Sequence, residues 1–208
     1  MDFYEVLEKR RTYRDFSDRE VSDEILKRVI GAAFKAPTND HLRQLEFIVV
    51  HGRENIAKVI APLAGNMEAF KELVTEVDES DDKDKMVMFA DALPKQQRML
   101  MQSGLLIIPF FRQLTWPLLK PAEQSSLNYF ASAWCALENM LLAATAEGLG
   151  TVFHIPVNDE AEKIKEIVNA PEGYEFICLL TMGYPAENAF LPKQKVIHIK
   201  DRIHTNSW

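Results

Sequence analysis

The chain has 208 residues, 47% of them apolar and 26% charged, a balance that suits one globular unit near the usual domain size of about 150 residues and excludes a disordered tail protein. Its 24 basic and 31 acidic side chains leave a net charge of −7, a poor basis for binding nucleic acid or an anionic membrane without specificity. Any anionic ligand must therefore be caught by a local basic cluster.

Asp2 and Glu5 form a D-x-x-E capping pattern, so a short first helix is expected. It gives way at Arg10–Phe16, RRTYRDF, whose alternation does not continue a helix. Ser22 caps a second helix with Ile25, Leu26, Val29, Ile30 and Ala33 at helical spacing, Val21 placed to staple onto Leu26, and Pro37 as the stop. Glu46–Val50 reads as a strand. Asn55–Ala64 and Met67–Val77 read as helices, the acidic stretch Asp78–Lys85 as a solvated loop, and Met86–Met101 as a further helix. Gly104–Phe111 is a buried strand by run length, and Arg112–Glu123, with Trp116-Pro117 and Pro121, is irregular.

Ser125 or Ser126 caps the longest helix, which runs to about Glu147. Phe130, Ala133, Trp134, Leu137, Met140, Leu141 and Ala144 cover more than one of its faces, so it belongs in the centre or across a subunit interface. Gly148 stands where a helix C′ residue is expected. A strand at Thr151–His154, a helix capped by Asn158 and reaching Val168, a turn at Pro171–Gly173 and a strand at Glu175–Met182 follow. The stretch from Ala189 to Trp208 looks extended and carries Val196, Ile197, Ile199 and Trp208, so it needs a surface to lie on, such as a partner subunit. Strands dispersed among helices indicate an α+β or mixed three-layer fold.

Cys135 and Cys178 lie among apolar residues and are expected to be reduced core thiols. The N-terminus lacks the apolar core of a signal peptide, and Leu105–Phe111 is too short to span a bilayer, so a cytoplasmic protein is expected. The sequence shows no Walker loop, nucleophile elbow or closely spaced metal ligands. Gly148-Leu149-Gly150 follows a helix rather than a strand, the reverse of a dinucleotide-binding turn. Chemistry, if there is any, is expected to come from a cofactor.

Arg10, Arg11 and Arg14 are the candidate anion site, because guanidinium offers planar, permanently charged donors matched to phosphate. Three further features follow in order: APTNDHLRQLEFIVV from Ala36 to Val50, AEGLGT from Ala146 to Thr151, and GYPAE at Gly183–Glu187 ahead of L-P-K-x-K at Leu191–Lys195. This ordered set, spanning nearly the whole chain, resembles the nitroreductase family of FMN-dependent flavoproteins. RRTYRDF is similar to its R-R-S-x-R-x-F segment, and APTNDHLRQLEFIVV to its A-P-S-x-x-N-x-Q-P-W-x-F-I-V-V loop and strand.

The resemblance implies a single domain over 1–208 with a three-layer α+β fold, its central mixed or antiparallel sheet flanked by helices. It also implies an intertwined homodimer, with residues 189–208 packing on the partner subunit and FMN touching both chains. Arg10, Arg11, Thr12 and Arg14 would hold the phosphate, ribityl chain and pyrimidine edge of FMN, and Lys193 and Lys195 would complete the phosphate clamp. Pro37, Thr38, Asn39, His41 and Arg43 would line the cofactor edge, with Thr38, His41 and Arg43 standing where the family has Ser, Asn and Gln, and Gln44 and Leu45 where it has Pro and Trp. Ile155, Pro156 and Val157 would lie against the isoalloxazine face with a backbone N–H near flavin N5, and Pro156 cannot be that donor. The implied activity is ping-pong hydride transfer from NADH or NADPH through the flavin to a small organic acceptor such as a nitroaromatic, quinone, enone or halogenated phenol. The alternative is a flavin-binding or sensory homodimer with little turnover. No catalytic side chain, metal, nucleic acid or membrane is expected.

Overall fold

The computed structural model describes residues 1–38, 44–66, 83–112, 126–157, 159–194 and 196–208. Its middle layer is a five-stranded sheet with neighbours in the order β1 (Leu45–His51), β2 (Leu105–Arg112), β5 (Leu179–Gly183) and β3 (Gly150–His154), while β4 (Tyr174–Phe176) also pairs with β2. All of these pairings are antiparallel.

Alternation along β2 divides the core. Leu105, Ile107 and Phe111 pack with helices α2 (Asp23–Ala33) and α6 (Ser126–Ala146). Leu106, Ile108 and Phe110 pack with α3 (Arg53–Val59), α5 (Gln96–Gln102) and α7 (Glu160–Ile167). A strand covered on both faces reads as a continuous apolar run, and LLIIPFF is one. The result is three layers: helices, sheet, helices.

Local chemistry sets the helix ends. Asp2 caps α1 (Phe3–Lys9) by accepting from the Glu5 N–H at 3.0 Å, and Ser22 Oγ accepts from Ile25 N–H at the start of α2. At the end of α6, Gly148 takes φ +79°, Leu149 N–H donates to the Ala144 carbonyl at 2.8 Å and Gly148 N–H to Thr145 at 3.0 Å. That is a Schellman closure, and it turns the chain straight into β3.

Four expectations are corrected. Met86–Met101 is not one helix: α4 (Lys83–Ala92) and α5 are separated by a 3-10 turn, Leu93–Lys95, holding Pro94, which has no N–H to give. Lys83–Lys85, expected in the acidic loop, belong instead to α4, and the rest of that stretch, residues 78–82, lies outside the described residues. Glu175–Met182 is two strands. Between the pairs Phe110–Phe176 and Ile107–Leu180, β2 advances three residues and its partner four, so one extra residue bulges out at Ile177–Cys178. Cys178 is buried, which pushes its thiol pKa upward, but Cys135 is exposed rather than in the core. The Asn55–Ala64 helix is borne out only to Val59, as α3; a separate 3-10 segment, Ala61–Asn66, follows it. The expected Met67–Val77 helix, the irregular segment with Trp116, and Asn158 lie outside the described residues; the residue capping α7 is Asp159.

Candidate functional site

The basic segment leaves α1 and runs extended along the free edge of β3. Tyr13 N–H donates to the Thr151 carbonyl at 2.9 Å, and Thr12 and Thr151 form a parallel bridge. Phe16 then bridges Pro185, and Ser17 N–H donates to the Tyr184 carbonyl at 2.9 Å. Two glycines make this seat. A Cβ on Gly150 would lie 2.7 Å from the Tyr13 side chain, and one on Gly183 would meet Ser103 Cβ at 2.7 Å and Phe16 at 3.2 Å. The glycines of AEGLGT and GYPAE therefore let Tyr13 and Phe16 close onto the sheet.

So placed, Arg10, Arg11, Thr12 and Arg14 line a cavity of about 270 Å³ together with Met88, Pro192, Lys193 and Gln194. The Arg11 guanidinium donates to the Pro192 carbonyl, which ties the root of the tail to the cavity. Arg14 is largely enclosed: one amino group stands 3.4 Å from Asp91 Oδ2, the other 3.6 Å from Met88 Sδ. Burial draws the Arg14 pKa below its usual value, and Asp91 opposes the shift. Arginine stays charged through such a shift, so the cavity keeps its positive wall.

Behind that wall lies a charge network. Lys95 Nζ is 2.5 Å from both Asp15 Oδ2 and Asp91 Oδ1, and Arg98 is 2.6 Å from Asp15 Oδ1. Burial pulls the Lys95 pKa down, but hydrogen bonds and attraction from Asp15 and Asp91 outweigh it and raise it overall. The next residue, Gln96, reaches the end of β3. Its Oε1 is 3.2 Å from His154 Nδ1, and His154 Nε2 is 2.8 Å from Glu160 Oε2.

The structure thus brings together Arg10, Arg11, Thr12, Arg14 and Lys193. It does not bring Pro37 and Thr38, beyond the end of α2, or Ile155, Pro156 and Val157, beyond the end of β3, into the lining of that cavity. Asn39, His41, Arg43 and Lys195 lie outside the described residues. Sequence reasoning missed Met88, Asp91, Lys95, Gln96, His154 and Glu160. Only the Asp91–Lys95 spacing of four on a helical stretch carried a signal, and it is a common one. A larger cleft, about 480 Å³, is rimmed by Asp18, Glu20 and Asp23 as well as His51 and Arg53. Its carboxylates make it the wrong place for a phosphate. Among the described residues no group of three or more His, Cys, Asp or Glu could hold a metal ion, and no helix is long and apolar enough to cross a membrane.

Comparison with known proteins fits this arrangement. A Methanothermobacter thermautotrophicus protein, provisionally named NADH dehydrogenase/NAD(P)H nitroreductase, is 29% identical over all of this chain and 88% of its own length. The iodotyrosine deiodinase of Hydra vulgaris is 26% identical over 93% of this chain and 69% of its own. The crystal structure of oxidised iodotyrosine deiodinase bound to FMN and 3-iodo-L-tyrosine superposes with a TM-score of 0.71 at 20% identity, covering 100% of both chains, which shows a shared fold. The nitroreductase family model matches residues 7–184, from the end of α1 through β5, and the chain belongs to the nitroreductase family.

Proposed function

We propose that the protein is an FMN-dependent oxidoreductase that takes reducing equivalents from NADH or NADPH and passes them to a small organic acceptor. The observation that carries this reading is that Arg10, Arg11, Thr12, Arg14 and Lys193 line one cavity in a chain of net charge −7. That donor set fits FMN. Arg10, Arg11 and Lys193 match a phosphate dianion through charge-assisted bonds, and Thr12 suits a ribityl or phosphate oxygen. Arg14, held by Asp91 and shielded from water, is suited to the pyrimidine edge, where a fixed cation favours the anionic reduced ring. When bound, FMN supplies the hydride-accepting and electron-donating chemistry, and the protein supplies binding, orientation and field.

The edge contacts expected from Pro37, Thr38, Asn39, His41 and Arg43 are assigned in this reading to a second copy of the chain, because Pro37 and Thr38 stand apart from the cavity. Lys195 is assigned to the phosphate beside Lys193. The working unit is then a homodimer of single-domain chains, with residues 189–208 laid on the partner. Deiodinase relatives place halogenated phenols beside nitroaromatics and quinones as acceptor classes to try.

The test is visible absorption of the protein loaded with FMN, before and after NADH or NADPH. Flavin bands that bleach and return with an acceptor support the reading. Bands that neither nucleotide bleaches favour a binding protein with little turnover, and absent bands overturn the site. Arg14→Glu should weaken FMN binding by about 10- to 100-fold, the worth of one charge-assisted contact, read by quenching of flavin fluorescence.

A further inference from the structure

Asp91 does not line the basic cavity, but it touches a residue that does. A carboxylate in that position calls for a reason, since a negative charge works against the binding of an anion. Helix α4 brings two side chains to the Arg14 guanidinium, three residues apart and so on one face of the helix. Met88 Sδ is 3.6 Å from one amino group and Asp91 Oδ2 is 3.4 Å from the other. The second contact is loose. Asp91 lies closer to Lys95, at 2.5 Å, and among the described residues no other side-chain oxygen engages the Arg14 guanidinium. Arg14 thus keeps most of its N–H donors for a ligand, and what Asp91 chiefly brings to it is charge.

Exposure divides the network around them. Arg14 and Asp91 are 11% and 8% exposed, Lys95 and Asp15 16% and 17%, whereas Arg98 is 57% exposed and screened by water. The enclosed part is therefore two cations and two carboxylates in alternation, Arg14, Asp91, Lys95 and Asp15, with no net charge. Of these four only Arg14 lines the cavity. Charges shielded in this way act on one another more strongly than charges in water. Asp91 and Asp15 indeed oppose the effect of burial on Arg14.

We propose that Asp91 tunes the cofactor site through its charge: its carboxylate offsets Arg14 and holds the reduction potential of the bound flavin below the value that an uncompensated Arg14 would give it. This rests on the FMN reading given above, with Arg14 at the pyrimidine edge. Reduction places negative charge on that edge, so the offset weakens the hold on the reduced ring more than on the neutral oxidised one. A lower potential makes the reduced cofactor a stronger electron donor to its acceptor.

The test is made on the full-length protein loaded with FMN. The midpoint potential is read by equilibration with redox dyes, and the affinity for oxidised FMN by fluorescence quenching. Asp91→Asn keeps the shape of the side chain and removes its charge. Reduced FMN should then gain about tenfold in affinity relative to oxidised FMN, which raises the two-electron potential by about 30 mV. Arg14→Gln, at saturating FMN, should lower the potential, and the double variant should return close to wild type because the two charges act in opposite senses. An Asp91 with a merely structural role would, once replaced, weaken both redox states alike and leave the potential unchanged. An Asp91 that only holds Arg14 in place would, once replaced, lower it. Either result overturns the proposal. If Asp91→Asn does not fold, Lys95→Met decides: it removes the other enclosed cation, so the potential must fall, and a potential that stays or rises overturns the proposal. Wild-type protein that takes up no FMN overturns the proposed function, and the role of Asp91 with it. Wild-type protein that binds FMN, with the potential unmoved in Asp91→Asn, leaves that function standing and overturns the tuning alone.

Discussion

Lys95 sits where the charges around the site converge. Asp15 and Asp91 each lie 2.5 Å from its ammonium, and each has a second partner in Arg98 or Arg14. Its pKa in the folded protein is raised above the ordinary 10.5: burial works against the shift, and the two carboxylates win. The stability it contributes is therefore complete below pH 10.5 and is lost as pH climbs through the raised folded value. Lys95→Met should cost about 1–3 kcal/mol between pH 7 and 9, since both carboxylates keep a guanidinium partner. The gap to wild type should close in strongly alkaline solution, and urea unfolding at pH 7, 9 and 11 checks this. A gap that stayed constant through pH 11 would mean that packing of the lysine stem, not its charge, supplies the stability. Arg10, Arg11 and Arg14 were legible in the sequence because all three fall within five residues, and an acidic chain makes such a cluster stand out. Asp91, Lys95 and Glu160 were not. A Glu in the first turn of a helix is favoured at any helix N-terminus, so nothing in the sequence distinguishes Glu160 from a solvated one.

At the level of elements, two glycines do for the basic segment what side chains do elsewhere: they decide how closely it can approach the sheet. Gly150→Ala would drive a methyl to 2.7 Å from Tyr13 Cβ, an atom close to the backbone that cannot swing aside. The expected cost is about 1–3 kcal/mol of stability, as for other overpacked sites. Tyr13 lies between Thr12 and Arg14, so FMN affinity should fall in the same variant. Chemical denaturation and flavin titration together check this, and a stable variant with normal FMN affinity would show that the segment tolerates displacement. The layers themselves were readable from the apolar runs, because a strand buried on both faces and a helix apolar on several sides have few other places to go. Interruptions were harder to read. The break at Leu93–Lys95 and the bulge at Ile177–Cys178 preserve apolar content while changing register, and composition is blind to register. Cys135 was misplaced for a related reason: its neighbours are apolar, yet it points out of the helix face that packs.

For the whole molecule, the unexplained surface is apolar and concentrated at the two ends of the chain. Val196 is 75% exposed, Ile199 70% and Trp208 100%, while Phe3 and Tyr4 on α1 are also open. Side chains of that size removed from water contribute about 1.5–3 kcal/mol each. A tail carrying several of them has good reason to lie on another copy of the chain, and the same applies to the outer face of α1. The tail's root is already engaged: Pro192 accepts from Arg11, and Lys193 lines the cavity. A partner that pins the tail would therefore steady two walls of the cofactor site at once, so dimerisation and FMN retention should be linked. Removing Val196–Trp208 leaves Lys193 in place and tests that linkage directly. Sedimentation equilibrium should show a shift from dimer to monomer, with flavin lost into the low-mass fraction in the same protein. A truncated protein that sediments as an intact, flavin-loaded dimer would place the interface elsewhere, on α1 and α6, and leave the tail free. A monomer that still holds its flavin would show that Arg10, Arg11, Thr12, Arg14 and Lys193 suffice within one chain, and would remove the need for a second copy at the site.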